Sequence, residues 1–167
     1  MLMSLDTPQI ENKEFTFEGL HSISIDWNHH EEHLLATAAS NNCAIYDVER
    51  QTEVNTFSSQ YSIKCVSWSK YNPGLLAFCS YDNNIFLWST NEGINKFDVL
   101  DTESKVNMVA FSHTNENIIA SSHESTVNVW DYRMLNKTPL KSHKTTTGLY
   151  SGTVNLEFDQ LNGLLLA

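Results

Sequence analysis

Two imidazoles and a carboxylate at close spacing are the first chemistry the sequence offers. The run His29-His30-Glu31-Glu32-His33 satisfies the pattern His-x-x-Glu-His, the spacing of an inverted zinc-hydrolase motif. That chemistry needs a helix, so that both rings project from one face towards the metal, and it needs a third ligand. Here the run fills a polar turn slot, taken elsewhere by Lys70-Tyr71-Asn72-Pro73 and His113-Thr114-Asn115-Glu116. The expectation is a solvated turn and no metal site.

Other nucleophiles are no better set. Cys43, Cys65 and Cys79 are odd in number, lack a Cys-x-x-Cys pair and sit in apolar or alternating runs. That is the setting of buried reduced thiols in a cytosolic or nuclear protein. The chain has only six glycines, with no glycine-rich phosphate loop and no Gly-x-Ser-x-Gly. Ser, His and Asp are scattered over turns, where local hydrogen bonding suits them. The sequence therefore predicts no catalytic residue, no cofactor and no enzyme activity.

The elements that would position any site come from the periodicity. Of the 167 residues, 41% are hydrophobic and 18% charged, which suits one packed domain. The formal net charge of −10 argues against a phosphate-binding surface, so no nucleic acid is expected. No apolar run reaches the ~18 residues of a membrane span, and the first ten residues do not read as a signal peptide. Four segments then repeat: Leu34-Leu35-Ala36, Leu75-Leu76-Ala77, Ile118-Ile119-Ala120 and Leu165-Leu166-Ala167, spaced by 41, 43 and 47 residues. A large aromatic precedes each, at Trp27, Trp68, Phe111 and Phe158. A second aromatic follows the first three, at Tyr46, Trp88 and Trp130, 42 residues apart twice. Period-two alternation before each first aromatic, as in Val66-Ser67-Trp68, reads as a strand. Outer strands are expected at 53–57, 94–100 and 138–142. Four short strands in ~42 residues make one propeller blade.

At this point the chain resembles a known family. Ser80-Tyr81-Asp82-Asn83-Asn84-Ile85-Phe86-Leu87-Trp88-Ser89 looks like the second half of a WD40 repeat, and Val127-Asn128-Val129-Trp130-Asp131 carries the Trp-Asp dipeptide. The resemblance covers about residues 20–167. It implies an all-β, WD40-type β-propeller: an incomplete arc of three full blades plus half of a fourth. The blades fall at about 20–60, 61–103, 104–145 and 146–167. Residues 1–19 form a tail whose alternation at 14–17 would suit a propeller-closing strand. The turn acid of the repeat is Asp82 in the second unit and Glu124 in the third, with Ser40 in the first. The family's Gly-His pair before the inner strands is missing. Its Asp-His-Ser-Trp hydrogen-bond network is therefore not expected to complete in any unit, and packing should hold the blades.

The resemblance also implies the function. WD40 propellers bring other proteins together, so a non-enzymatic interaction scaffold is expected. The sixteen residues 118–133 are similar to the box with which WD40 substrate receptors of cullin-RING ubiquitin ligases meet their adaptor. They end in Trp130-Asp131-Tyr132-Arg133. Trp130, Asp131 and above all Arg133 would be the partner-binding residues, with the guanidinium offered as a planar fork. Arg50 comes one residue too late after Tyr46-Asp47 to be a second copy. The alternative is an architectural subunit of a large assembly such as a coat, nuclear-pore or nutrient-signalling complex. Seven blades would take on the order of 300 residues, so the arc is expected to be completed by further repeats or by another chain. The stretch 132–150, with Lys137, Lys141 and Lys144, is the one basic segment and is expected to be a solvated loop.

Overall fold

The computed structural model of the chain describes residues 23–90, 96–102, 104–134, 138–144, 156–159 and 165–166. It is an all-β arc of propeller blades. Blade 1 is β1 (Ser24–Trp27), β2 (Leu34–Ala39), β3 (Asn42–Asp47) and β4 (Thr52–Ser58). Blade 2 is β5 (Ile63–Trp68), β6 (Leu75–Ser80), β7 (Asn84–Ser89) and β8 (Lys96–Asp101). Blade 3 is β9 (Val106–Phe111), β10 (Ile118–His123), β11 (Thr126–Asp131) and β12 (Lys141–Lys144). The strands β13 (Glu157–Phe158) and β14 (Leu165–Leu166) pair as the start of blade 4. Within each four-stranded sheet the spatial order equals the sequence order, and every pairing is antiparallel.

The expected outer strand at 138–142 is displaced to Lys141–Lys144. The basic stretch is thus partly strand, with all four β12 residues exposed. The alternation at 14–17 lies outside the described residues.

Alternation builds the interfaces between blades. From blade 1, Ala36, Ala38, Cys43 and Ile45 face Val66, Trp68, Leu76, Phe78 and Trp88 of blade 2. Small side chains on one blade leave room for the large rings of the next, as dense packing requires. The Phe57 ring closes the outer end, 5.1 Å from Phe78. From blade 2, Leu75, Ala77, Cys79, Ile85 and Leu87 face Val106, Val109, Phe111, Ile119 and Trp130 of blade 3. Ala120 and Val127 meet Leu156 and Phe158 of blade 4. Because blade 2 is covered on both faces, all six residues of β6 are buried.

Polar bonds set the register between inner strands. The Trp68 backbone N–H donates to Asp26 Oδ2 at 2.7 Å, and the Phe111 N–H to Ser67 Oγ at 3.2 Å. In both cases the acceptor is the residue just before the preceding blade's first aromatic. Ala110 holds that place in blade 3 and offers no acceptor.

The residue after the aromatic caps the next turn. Asn28 Oδ1 accepts from the N–H groups of His30 and Glu31, at 2.8 and 3.1 Å. Ser69 Oγ accepts from Tyr71 and Asn72, and Ser112 Oγ from Thr114 and Asn115. These are side-chain turns of the kind Asn and Ser form readily. In the tight turns after β2 and β6, Ser40 (φ 48°) and Asn83 (φ 67°) take left-handed backbone. Asn tolerates that region better than most residues.

All three cysteines are free and buried, and Cys65 faces Cys79 directly across β5 and β6. Burial pushes the Cys43 thiol up to about 12, which suppresses the reactive thiolate. We expect the native protein to show no fast-reacting thiol towards an aromatic disulfide reagent, and all three to titrate in denaturant. A fast thiol in the native state would contradict this packing.

Candidate functional site

The Trp130–Arg133 corner closes blade 3. Asp131 ends β11, and Tyr132 N–H donates back to Asn117 O at 3.1 Å. The Tyr132 ring stands edge-on to Phe111 at 6.0 Å, and its hydroxyl donates to Glu116 O at 2.9 Å. Arg133 is therefore mounted on a fixed turn. Its Nε donates to Asp131 Oδ1 at 3.0 Å and its Nη2 to Asp131 Oδ2 at 2.7 Å. The pair holds the Asp131 carboxyl below its ordinary value and raises the guanidinium. It occupies the Nε–Nη2 edge of the fork. The Nη1–Nη2 edge remains for a second acceptor, and the side chain is 61% exposed.

Blade 1 repeats the device despite its different spacing. Asp47 Oδ1 accepts from the N–H groups of Glu49 and Arg50 at 3.0 and 2.9 Å, and Arg50 Nε lies 3.5 Å from Asp47 Oδ2. Position counting alone set Arg50 aside; the turn geometry brings it to the equivalent carboxylate. In blade 2, Ser89 holds the corresponding position and has no carboxylate.

The expected hydrogen-bond network stays incomplete, but blade 3 keeps its Trp-Ser-His part. Trp130 Nε1 donates to Ser121 Oγ at 2.8 Å, and Ser121 Oγ lies 2.8 Å from His123 Nε2. His123 Nδ1 lies 2.9 Å from Ser104 Oγ and 3.2 Å from Ser104 O. The imidazole comes from the end of β10, not from a residue pair ahead of the inner strand. Serine replaces the acid at its far end. The ring is 1% exposed, and burial lowers its pKa.

The remaining repeat positions divide by environment. Trp68, Trp88, Phe111, Trp130 and Phe158 are buried. Tyr46 is half-buried and donates to Glu53 Oε2 at 3.1 Å. Asp82 shapes its turn by accepting from Asn84 Nδ2 at 3.0 Å, while Glu124 is exposed in the equivalent turn. Trp27 is exposed.

The His29–His33 run is a capped turn, and no group of His, Cys, Asp and Glu among the described residues is arranged to hold a metal. Part of it joins a cluster that the sequence reading missed. Lys70 Nζ contacts His29 Nε2 and lies 3.7 Å from Asp26 Oδ1. Burial lowers the Lys70 pKa, and burial with Lys70 lowers that of His113. These groups line a cavity of about 320 Å3 between the inner strands. The available signal was positional: His29, Lys70 and His113 each stand two residues after a repeat aromatic.

Comparison with known proteins agrees with this architecture. Residues 16–72 match the family model of the anaphase-promoting complex subunit 4 WD40 domain, and residues 97–131 match that of the WD domain, G-beta repeat. A WD repeat-containing protein of Dictyostelium discoideum is 31% identical over 65% of the chain and 6% of its own length. The GATOR2 complex protein WDR59 of Gallus gallus is 27% identical over 79% of the chain and 14% of its length. Histone acetyltransferase type B subunit 2 of Candida albicans is 26% identical over 80% and 36%. The chain thus spans a small part of the first two relatives. Among solved structures, a chain of a mitotic checkpoint complex superposes with a TM-score of 0.72 at 24% identity, over 90% of this chain and 44% of that one. The Cps50 (Swd1) β-propeller domain gives 0.71 at 12% identity, over 83% and 46%. The family models, the blade topology and the repeat register converge: the chain belongs to the WD40-repeat family of β-propeller proteins.

Proposed function

We propose that this chain is the WD40 part of a non-catalytic subunit of a stable multiprotein assembly. One observation carries the reading: relatives that align over most of the chain are themselves named as members of complexes, GATOR2 in one case and a type B histone acetyltransferase in another. Exposed apolar side chains at Ile23, Ile25 and Trp27 add support, because contiguous apolar surface marks association sites. Gel filtration of native extract tests it. The protein should elute well above the mass of its own polypeptide, read on a denaturing gel, together with other polypeptides. Elution as a free monomer would sink the reading.

A second reading rests on Arg133. A fork held by its own carboxylate, with one edge left over, suits recognition of an acidic or carbonyl-rich partner surface, as in a substrate receptor meeting a ubiquitin-ligase adaptor. Arg133→Ala should abolish co-purification of such an adaptor while changing thermal stability only slightly, because the guanidinium side of its pair with Asp131 is open to solvent. Unchanged adaptor recovery would exclude this role.

A further inference from the structure

We propose that His29 is a proton-operated clasp between the turns of blades 1 and 2: neutral, it accepts a hydrogen bond from Lys70; protonated, it lets go and uncovers that ammonium. Side chains tie the blade 1 turn to the equivalent turn of blade 2. Asn28 Nδ2 donates to Pro73 O at 3.1 Å, His30 Nε2 lies 3.0 Å from Lys70 O, and Lys70 Nζ bonds His29 Nε2. All of these groups sit at the mouth of the cavity between the inner strands or on the turns beside it.

Donor and acceptor rules separate the three histidines of this turn. A carbonyl oxygen only accepts, so His30 donates from Nε2, and a proton added at Nδ1 leaves that bond intact. His33 Nε2 lies 4.0 Å from Glu31 Oε2, a contact that protonation turns into an ion pair. An ammonium only donates, so His29 Nε2 must be bare and the ring's one proton sits on Nδ1. A second proton on this ring removes the acceptor and sets two cations against each other. Of the three, His29 is thus the one that loses a bond on protonation. Imidazole is the side chain that ordinarily gains a proton between about pH 8 and pH 5.

Burial decides which partner moves. The Lys70 side chain is 16% exposed and its Nζ lies 3.7 Å from Asp26 Oδ1, while His29 is exposed. Asp26 is itself fixed, since its Oδ2 accepts from Trp68 N–H. The imidazole is therefore the part that swings into solvent, and Lys70 stays on Asp26 with one side open to the cavity. The other charged groups shift the balance without replacing the clasp. His113 of blade 3, when protonated, adds to the repulsion on Lys70. Glu157 of blade 4 faces Lys70 and His113 across the cavity, and with Asp159 it opposes that repulsion. Glu31 and Glu32 are exposed on the turn itself.

Nitrogen–proton correlation NMR of the imidazoles in the purified chain tests the clasp. At pH 7.5 His29 should be the Nδ1–H tautomer, and His30 should carry a proton on Nε2. Lys70→Met keeps the apolar stem and removes the donor, and should return His29 to the Nε2–H form that free imidazole side chains favour. Hydrogen exchange reads the release. The His30 and Glu31 amides are held by Asn28 Oδ1 in the same turn. Corrected for the intrinsic effect of pH, they should lose about threefold or more of their protection between pH 7.5 and pH 5, the equivalent of one net hydrogen bond. His29→Gln supplies an amide oxygen that does not titrate, and should keep the protection at both values. A His29 ring with its proton on Nε2 in the parent at pH 7.5, unaltered protection at pH 5, or a loss as large in His29→Gln as in the parent would each overturn the proposal.

Discussion

Trp68→Ala is expected to lower stability by about 3–5 kcal/mol, the range for removing a buried aromatic. The indole is 1% exposed in the interface between blades 1 and 2. It also gives Nε1–H to Pro73 O at 2.8 Å, so truncation leaves a void and removes one of the two donors to that carbonyl, the other being Asn28 Nδ2 at 3.1 Å. Against the ~5–15 kcal/mol typical of a whole domain, such a loss dominates. Urea unfolding should show a much lower midpoint with little change in slope. Val54→Ala is the control: 56% exposed on β4, it should change stability by no more than about 0.5 kcal/mol. Equal effects of the two substitutions would mean that the blade interface is not where the stability resides.

The second large effect is at Ser121. Its hydroxyl links the Trp130 indole N–H to His123 Nε2, so Ser121→Ala strands one buried donor and one buried acceptor. At about 1–3 kcal/mol per unsatisfied group, a loss of about 2–6 kcal/mol is expected, again by urea unfolding. The same relay predicts a pH dependence. Burial lowers the His123 pKa in the folded protein, with nearby Lys64 acting in the same direction. The unfolded chain, with an imidazole near ~6.5, then binds a proton that the folded one refuses. Stability is complete above that value and falls as the pH drops from there towards the lower folded value. His113 carries the same sign. Parent protein should therefore unfold at lower urea at pH 5 than at pH 7.5, and His123→Gln should reduce that difference. An unchanged pH slope in the variant would remove His123 from the account.

The repeat was readable because its signals are local. Paired aliphatics, a flanking aromatic and period-two alternation recur with the pitch of one blade, and each strand pairs with its sequence neighbour. The capped turns were readable for the same reason, since Asn28, Ser69 and Ser112 act on the next few residues. Three features were harder. His123 replaces a histidine expected from another segment, although alternation does put Ser121 and His123 on the face of β10 that Trp130 shares. Arg50 reaches Asp47 through the turn that leads to Gln51, a residue at φ 54°, which counting along the chain does not encode. Trp27 has the residue type of a core position; its exposure depends on what stands beside blade 1. The Lys70 cluster combines side chains from three blades and becomes a site only when the arc curves them together.

The alanine at 110 has a dynamic consequence. At the other two junctions a side-chain acceptor ties the inner strand of one blade to the backbone of the next. At the junction of blades 3 and 4, methyl replaces that tie. Cooperative units with fewer crossing bonds open at lower free energy than the rest of a fold. Amide hydrogens of β13 should then exchange with solvent ahead of those in β6, and the arc would breathe at its fourth blade while the second stays shut.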